Sequence, residues 1–319
     1  MRARNTIRVS CLGVFAFLAT RVAVSAQPYG YVSNQGDTVS VVNMATNTIK
    51  SRVTVNNAGL SGLAVTPDGS YLYVTEQSLN SVAVISTSSN SVVATIPVGG
   101  GPIQVAITPN GAAAYVANSV SNDVSVIDIA TNSVVDTIPV GTRPVALAVT
   151  PDGANVLVAN LYSSNISVIG TSSNSVTATW TTLSGPSAIA VGPKGRAFVA
   201  AQYANSVAVH NVANGEITET ITGFAAPVSL ALAPNGGLLY VVNANSSSVA
   251  VVSTVTQKTA ATVAVGLLPT SVAVSPTGQM AYITNAFGFS LSELDTATNT
   301  VGYTLKGVGI YPFSIVLHN

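Results

Sequence analysis

Along most of this chain valine, isoleucine, alanine and tyrosine alternate with serine, threonine and asparagine in runs of five or six residues. Period-two alternation over so short a run is the pattern of a strand with a buried face. Residues 103–108 (IQVAIT), 113–117 (AAYVA), 123–128 (DVSVID) and 133–138 (SVVDTI) are four such runs in succession. No stretch sustains a helical period. Turn signals separate the runs. A Pro-x-Gly triplet recurs at Pro67, Pro109, Pro151, Pro193, Pro234 and Pro276. Proline presets φ in a tight turn and glycine supplies positive φ at its exit. Between the third and fourth runs an asparagine recurs, as Asn47, Asn90, Asn132, Asn174, Asn214 and Asn299. Asparagine tolerates the left-handed backbone that a hairpin there requires.

Successive Pro-x-Gly prolines stand 42, 42, 42, 41 and 42 residues apart, so one supersecondary unit is copied in tandem. Four-stranded units of this length predict the blades of a β-propeller. Each blade is apolar on both faces, and a ring covers both faces of every blade. The innermost strand should carry small residues, because space tapers towards the axis. One position reads Ala64, Ala106, Ala148, Ala190, Ala231, Ala273 and Val316, and two residues earlier stand Gly62, Gln104, Ala146, Ala188, Ser229, Ser271 and Ser314. The second strand occurs seven times, at residues 30–34 and around Tyr73, Tyr115, Leu157, Phe198, Tyr240 and Tyr282. Its first copy has no inner strand before it, whereas Pro312–Leu317 matches an inner strand with no second strand after it. The predicted fold is an all-β, seven-bladed propeller of four-stranded antiparallel blades. It is closed by pairing of the C-terminal strand with residues 29–34.

Composition adds an address. Arg2, Arg4 and Arg8 precede an apolar stretch, Val9–Thr20, and Val24-Ser25-Ala26 forms a small-residue cleavage site. The apolar run is shorter than the roughly 20 residues that span a bilayer. Residues 1–26 therefore read as a signal peptide and 27–319 as one propeller domain, secreted or periplasmic and monomeric. Cys11, the single cysteine, lies in the first segment. Residues 27–319 thus offer no disulfide, thiolate metal site or cysteine nucleophile. They hold 7 basic and 11 acidic residues, a balance unsuited to electrostatic binding of nucleic acid or anionic membrane.

The second strands Tyr31-Val32-Ser33-Asn34, Tyr115-Val116-Ala117-Asn118, Tyr240-Val241-Val242-Asn243 and Tyr282-Ile283-Thr284-Asn285 resemble the signature of the YVTN-family β-propeller repeat. Thr66-Pro67-Asp68-Gly69, Val124–Asp128, Thr131-Asn132 and Ile138-Pro139-Val140-Gly141 resemble the rest of that repeat, and the likeness runs over residues 28–317. Three places depart from it: Glu76 replaces a strand-end asparagine, Ala201-Gln202 stands at another, and Leu60 replaces an inner-strand proline. The resemblance implies a secreted or surface propeller. Among similar proteins are surface-layer components, single-stranded DNA binders, companions of redox systems and, more distantly, lactonases and antibiotic lyases. The shared repeat residues are structural and carry no catalytic role across.

Candidate chemistry is sparse. His210 and His318 are the only histidines and have no metal-ligand spacing. The lyase relatives use histidine and acidic groups at the channel mouth, and that set is missing. Asp68 and Asp152 sit in turns, Asp128 and Asp295 close third strands, and Glu216 and Glu219 flank an outer strand. No catalytic residue, metal site or cofactor is expected from this set. Propeller geometry places the connections after the second strands, and those between blades, on one face. That face should hold Glu76 and Arg143, the aromatics Tyr162, Tyr203, Phe287, Phe289 and Tyr311, and the strand-end Asn118, Asn160, Asn243 and Asn285. Exposed aromatics rimmed by polar residues suit a binding surface. The expectation is a non-enzymatic extracytoplasmic propeller that recognises a protein, peptide or cell-envelope ligand on this face, with nucleic acid an unsuitable partner. One alternative is a metal-assisted lactonase- or lyase-like hydrolase at the channel mouth, using Glu76. A second is single-stranded nucleic acid binding by stacking.

Overall fold

In the computed structural model, residues 29–55 and 59–318 are described. The signal-peptide reading of residues 1–26 falls outside them. Twenty-eight strands form seven four-stranded antiparallel sheets, with two single-turn 3-10 segments at Pro193–Gly195 and Ala244–Ser246. We number the blades by their second strands, so that blade 3 comprises Pro102–Ile107, Ala113–Asn118, Asp123–Asp128 and Ser133–Pro139, from axis to rim.

Blade 1 is the composite one. Its inner strand is Pro312–His318, which pairs with Tyr29–Asn34 in the register Tyr31 to Val316 and Val32 to Ile315. The backbone N–H of Ser314 also donates to Ser33 Oγ at 3.1 Å. The C-terminal strand thus closes the ring, as the complementary ends of the sequence predict.

Seven apolar clusters fill the seven interfaces between blades. The one between blades 2 and 3 joins Tyr73, Val82, Val84 and Ile96 to Val105, Ala114, Val116 and Ile127. Because blades cover both faces, the serines of the third strands, Ser40, Ser125, Ser167 and Ser292, are buried along with the apolar residues beside them. Two tyrosines of second strands bond to the next blade. Tyr73 donates to Asn132 Oδ1 at 2.6 Å, and Tyr115 to Asn174 Oδ1 at 2.8 Å. Burial pushes the Tyr73 phenol up to about 12, so it stays a neutral donor.

The turns follow the sequence with one correction. Gly69, Gly111, Gly153, Gly195, Gly236 and Gly278 all have positive φ. So do Asn47, Asn90, Asn132, Asn174 and Asn299, but Asn214 does not. In blade 5 the left-handed position falls one residue later, on Gly215, and Asn214 instead donates to Glu216 Oε2 at 2.8 Å. Gly215 is needed there twice over. Its φ is 76°, and a Cβ would meet the Trp180 ring at 2.2 Å. Trp180, alone on its outer strand in sequence, is the cover of the interface between blades 4 and 5 and stacks on His210.

Candidate functional site

The inner strands leave an axial cavity of about 380 Å³. Gln104, Ala146, Ala188, Ser229, Ser271 and Ser314, six of the seven inner-ring positions, contribute to its wall. The seventh, Gly62, faces backbone: a Cβ there would stand 2.7 Å from Gln104 Cα and from the Ile103 carbonyl oxygen. The Gln104 side chain fills that space, so the cavity is lined by every blade except blade 2. Most of its wall is apolar, including Ile103, Leu147, Leu161, Ile189, Leu230, Leu268 and Phe313. The polar part comprises Arg143, Gln104, Gln202, Ser187, Thr270 and the three ring serines.

Some of these hydroxyls are committed to the fold. Ser187 donates to the Pro227 carbonyl at 2.7 Å and Thr270 to that of Pro312 at 3.0 Å, equivalent bonds linking successive inner strands. Arg143 is the single charged residue of the wall. Its guanidinium carbon lies 4.9 Å from the centre of the Tyr162 ring, a cation–π contact that orients it at the mouth.

The backbone that presents Arg143 is unusual. In every blade the residue before the first inner-strand position has positive φ: Gly59, Gly101, Arg143, Gly185, Ala226, Leu268 and Tyr311. Three are glycines and four are not. The same bond fixes all seven: their carbonyls accept from the N–H of Gln77, Ser119, Leu161, Gln202, Ala244, Ala286 and Gln35, just past each second strand. A side chain of the preceding blade holds several from the other side. Asn80, Asn122 and Asn205 accept at 2.8 Å from the N–H of Gly101, Arg143 and Ala226. An L residue in this region costs about 1–2 kcal/mol, and it persists where the surroundings over-determine it.

The residues singled out in sequence separate into two sets. Tyr162, Tyr203, Phe287 and Tyr311 are exposed on the loop face. Tyr311 packs edge-on against Phe287 and, tilted, against Phe289, at centroid distances of 5.7 and 5.5 Å. Asn118, Asn160, Asn243 and Asn285 are buried and belong to the framework beneath that face. Asn160, for example, donates to Asn165 Oδ1 at 2.8 Å and Ser167 Oγ at 3.0 Å. Glu76 occupies the same strand-end slot. It is buried, accepts from Ser81 Oγ at 2.6 Å, and does not reach the cavity wall. Gln104 and Gln202 are wall residues that sequence reasoning did not assign to a site. Their signal was a departure from the repeat: Gln104 is the one large residue in a ring of glycine, alanine and serine. Among the described residues no group of three or more His, Cys, Asp or Glu is placed to hold a metal ion. No helix among them is long and apolar enough to cross a membrane.

Comparison with known proteins defines the class. The sequence profile described as "Lactonase, 7-bladed beta-propeller" matches residues 13–135 and 171–275, and that of the YNCE-like β-propeller matches residues 104–220. The chain belongs to the seven-bladed β-propeller lactonase family. A solved structure of a functionally unknown protein from Desulfotomaculum acetoxidans superposes with a TM-score of 0.80 at 19% identity, covering 91% of this chain and 98% of that one. A candidate 6-phosphogluconolactonase of Bacteroides fragilis gives 0.79 at 16% identity, covering 93% and 99%. At these identities the likeness is one of fold. An uncharacterized Bacillus subtilis protein, YwhL, is 43% identical over 58 residues, which are 18% of this chain and 13% of that protein. The family match overturns the expectation of a non-enzymatic binding scaffold. That expectation rested on the exposed aromatics of the loop face and on the scattered acids and histidines, and neither reports on the axial wall.

Proposed function

We propose that the protein is a lactonase that opens its substrate's ring at the mouth of the axial cavity. The observation that carries this is a family match over most of the chain, joined to one axial cavity whose single cation stands at its rim. In ester hydrolysis negative charge develops on the carbonyl oxygen, and donors aimed at that position lower the barrier. Arg143 supplies charged N–H donors. Gln104 and Gln202 supply neutral amides in the wall. The nucleophile adds to the carbonyl carbon, the ring C–O bond breaks, and lactone plus water becomes a hydroxy acid.

The wall contains no Asp, Glu or His, so no side chain there can take the proton from water. Hydroxide from solvent then delivers the attack, and the rate rises with pH without an acid limb set by a wall residue. Ring opening of a panel of γ- and δ-lactones by the full chain, followed by acid release, tests the proposal. Arg143→Gln should lower kcat/KM at least tenfold. No ring opening above the spontaneous rate across the panel would sink it.

We also propose that the protein works outside the cytoplasm. The arginine-led apolar stretch and the small residues Val24-Ser25-Ala26 support this. The N-terminal residue of the exported protein should then be Gln27, and an N-terminus retained at Met1 would refute it.

A further inference from the structure

Four blades hold a side chain where the backbone favours glycine. Arg143 and Leu268 line the cavity, Tyr311 belongs to the aromatic cluster on its rim, and Ala226 stands outside the wall. Gly59, Gly101 and Gly185 show that the loop is built equally well with no side chain at all. The fold therefore has no use for a guanidinium or an isobutyl group at this position. It carries a strained backbone in order to place them, and both point into the same space. Strain held in place by surrounding hydrogen bonds is a feature of ligand-contacting residues.

We propose that Arg143 and Leu268 are the specificity-determining residues of the axial cavity. Together they select a substrate that carries one anionic group and an apolar substituent. This rests on the lactonase reading for the reaction, though not for the binding. One guanidinium matches one carboxylate. A phosphorylated sugar fits poorly. Its second charge would lose water with no cation to meet it, and its hydroxyls would face Leu147, Ile189, Leu230, Leu268 and Phe313. An aryl or alkyl group would instead cover those walls.

Calorimetric titration of the full chain with three non-lactone probes tests this. 4-Phenylbutyrate should bind. 4-Phenylbutan-1-ol, which lacks the charge, should bind at least tenfold more weakly, and 6-phosphogluconate more weakly than phenylbutyrate. Arg143→Gly should cost phenylbutyrate at least tenfold and leave the alcohol unchanged, whereas Leu268→Gly should weaken both. Both variants should keep or raise Tm, because glycine relieves the positive φ. Ala226→Gly, the control outside the wall, should raise Tm with affinity unchanged. Unchanged affinity in Arg143→Gly, a preference for 6-phosphogluconate, no binding of any probe, or a lowered Tm in the two variants would overturn the proposal. Because no probe is a lactone, a failure to find turnover with these affinities intact would count against the lactonase reading alone.

Discussion

His210 shows how one residue can set the pH range of a fold. It is fully buried in blade 5. Its Nδ1 lies 2.8 Å from the Gly215 carbonyl, which can only accept, so Nδ1 carries the proton. Nε2, 2.9 Å from Thr182 Oγ1, is then the acceptor in the neutral ring. Protonation would turn this acceptor into a donor without water to help. Burial accordingly holds the imidazole below its ordinary 6.5, against the upward pull of the Gly215 bond. The unfolded chain takes up this proton more readily than the folded one. The stability it contributes is therefore fully present above pH 6.5 and is lost as pH falls through the folded value. Tm measured by circular dichroism should drop between pH 7 and pH 5. In His210→Gln that drop should be largely abolished, and an equal slope in both proteins would refute the assignment.

At the scale of the blade element, a strand-end asparagine and a loop glycine form a matched pair. Asn34, Asn118, Asn160 and Asn285 each lie against the glycine three residues before an inner strand: Gly309, Gly99, Gly141 and Gly266. A Cβ on Gly141 would stand 2.6 Å from Asn160 Cγ and 2.5 Å from Ser163 Oγ. Blade 5, with Ala201 at the strand end, has Leu183 in the glycine's place. Blade 6 keeps Asn243 beside Phe224, and there Asn243 Oδ1 accepts from the Ala225 N–H at 3.2 Å. Gly141→Ala should therefore cost about 1–3 kcal/mol by overpacking. Adding Asn160→Ala should recover part of the loss, and a double-mutant cycle of denaturation midpoints reads that coupling. Additive losses would show that the two residues do not share the space.

This scale also explains what could be read from sequence. The 42-residue period, the Pro-x-Gly turns and the composite blade are local signals repeated many times, and the ring follows from them. The cavity wall is built from one or two residues of each of several blades, at positions where the repeat varies. Arg143 stood out because charge is rare on this chain. Glu76 stood out for the same reason, yet its slot turns the carboxylate between its own strands. Gln104 and Gln202 carried the same signal as Arg143 in weaker form, since an uncharged residue does not stand out in a chain rich in serine and asparagine.

For the whole molecule, every interface has the same kind of apolar filling, and the two that flank blade 1 depend on residues from both ends of the described chain. The cluster between blades 7 and 1 includes Ile315 with Val32, Val42, Tyr282 and Leu291. Deleting residues 312–319 would strip Tyr29–Asn34 of its inner neighbour and leave an open six-residue edge. The deletion should abolish the single cooperative thermal transition, read by circular dichroism. A synthetic peptide of residues 310–319 should restore it in part. A truncated chain that melts like the intact one would show that the ring does not need this strand.

The same closure has a meaning in time. The bond between Ser314 and Ser33 spans 281 residues of sequence. Blade 1 therefore waits, unpaired along one side, while the ribosome makes every blade that follows it. A ring finished only by its last strand postpones its own completion, and contacts of such long range form slowly.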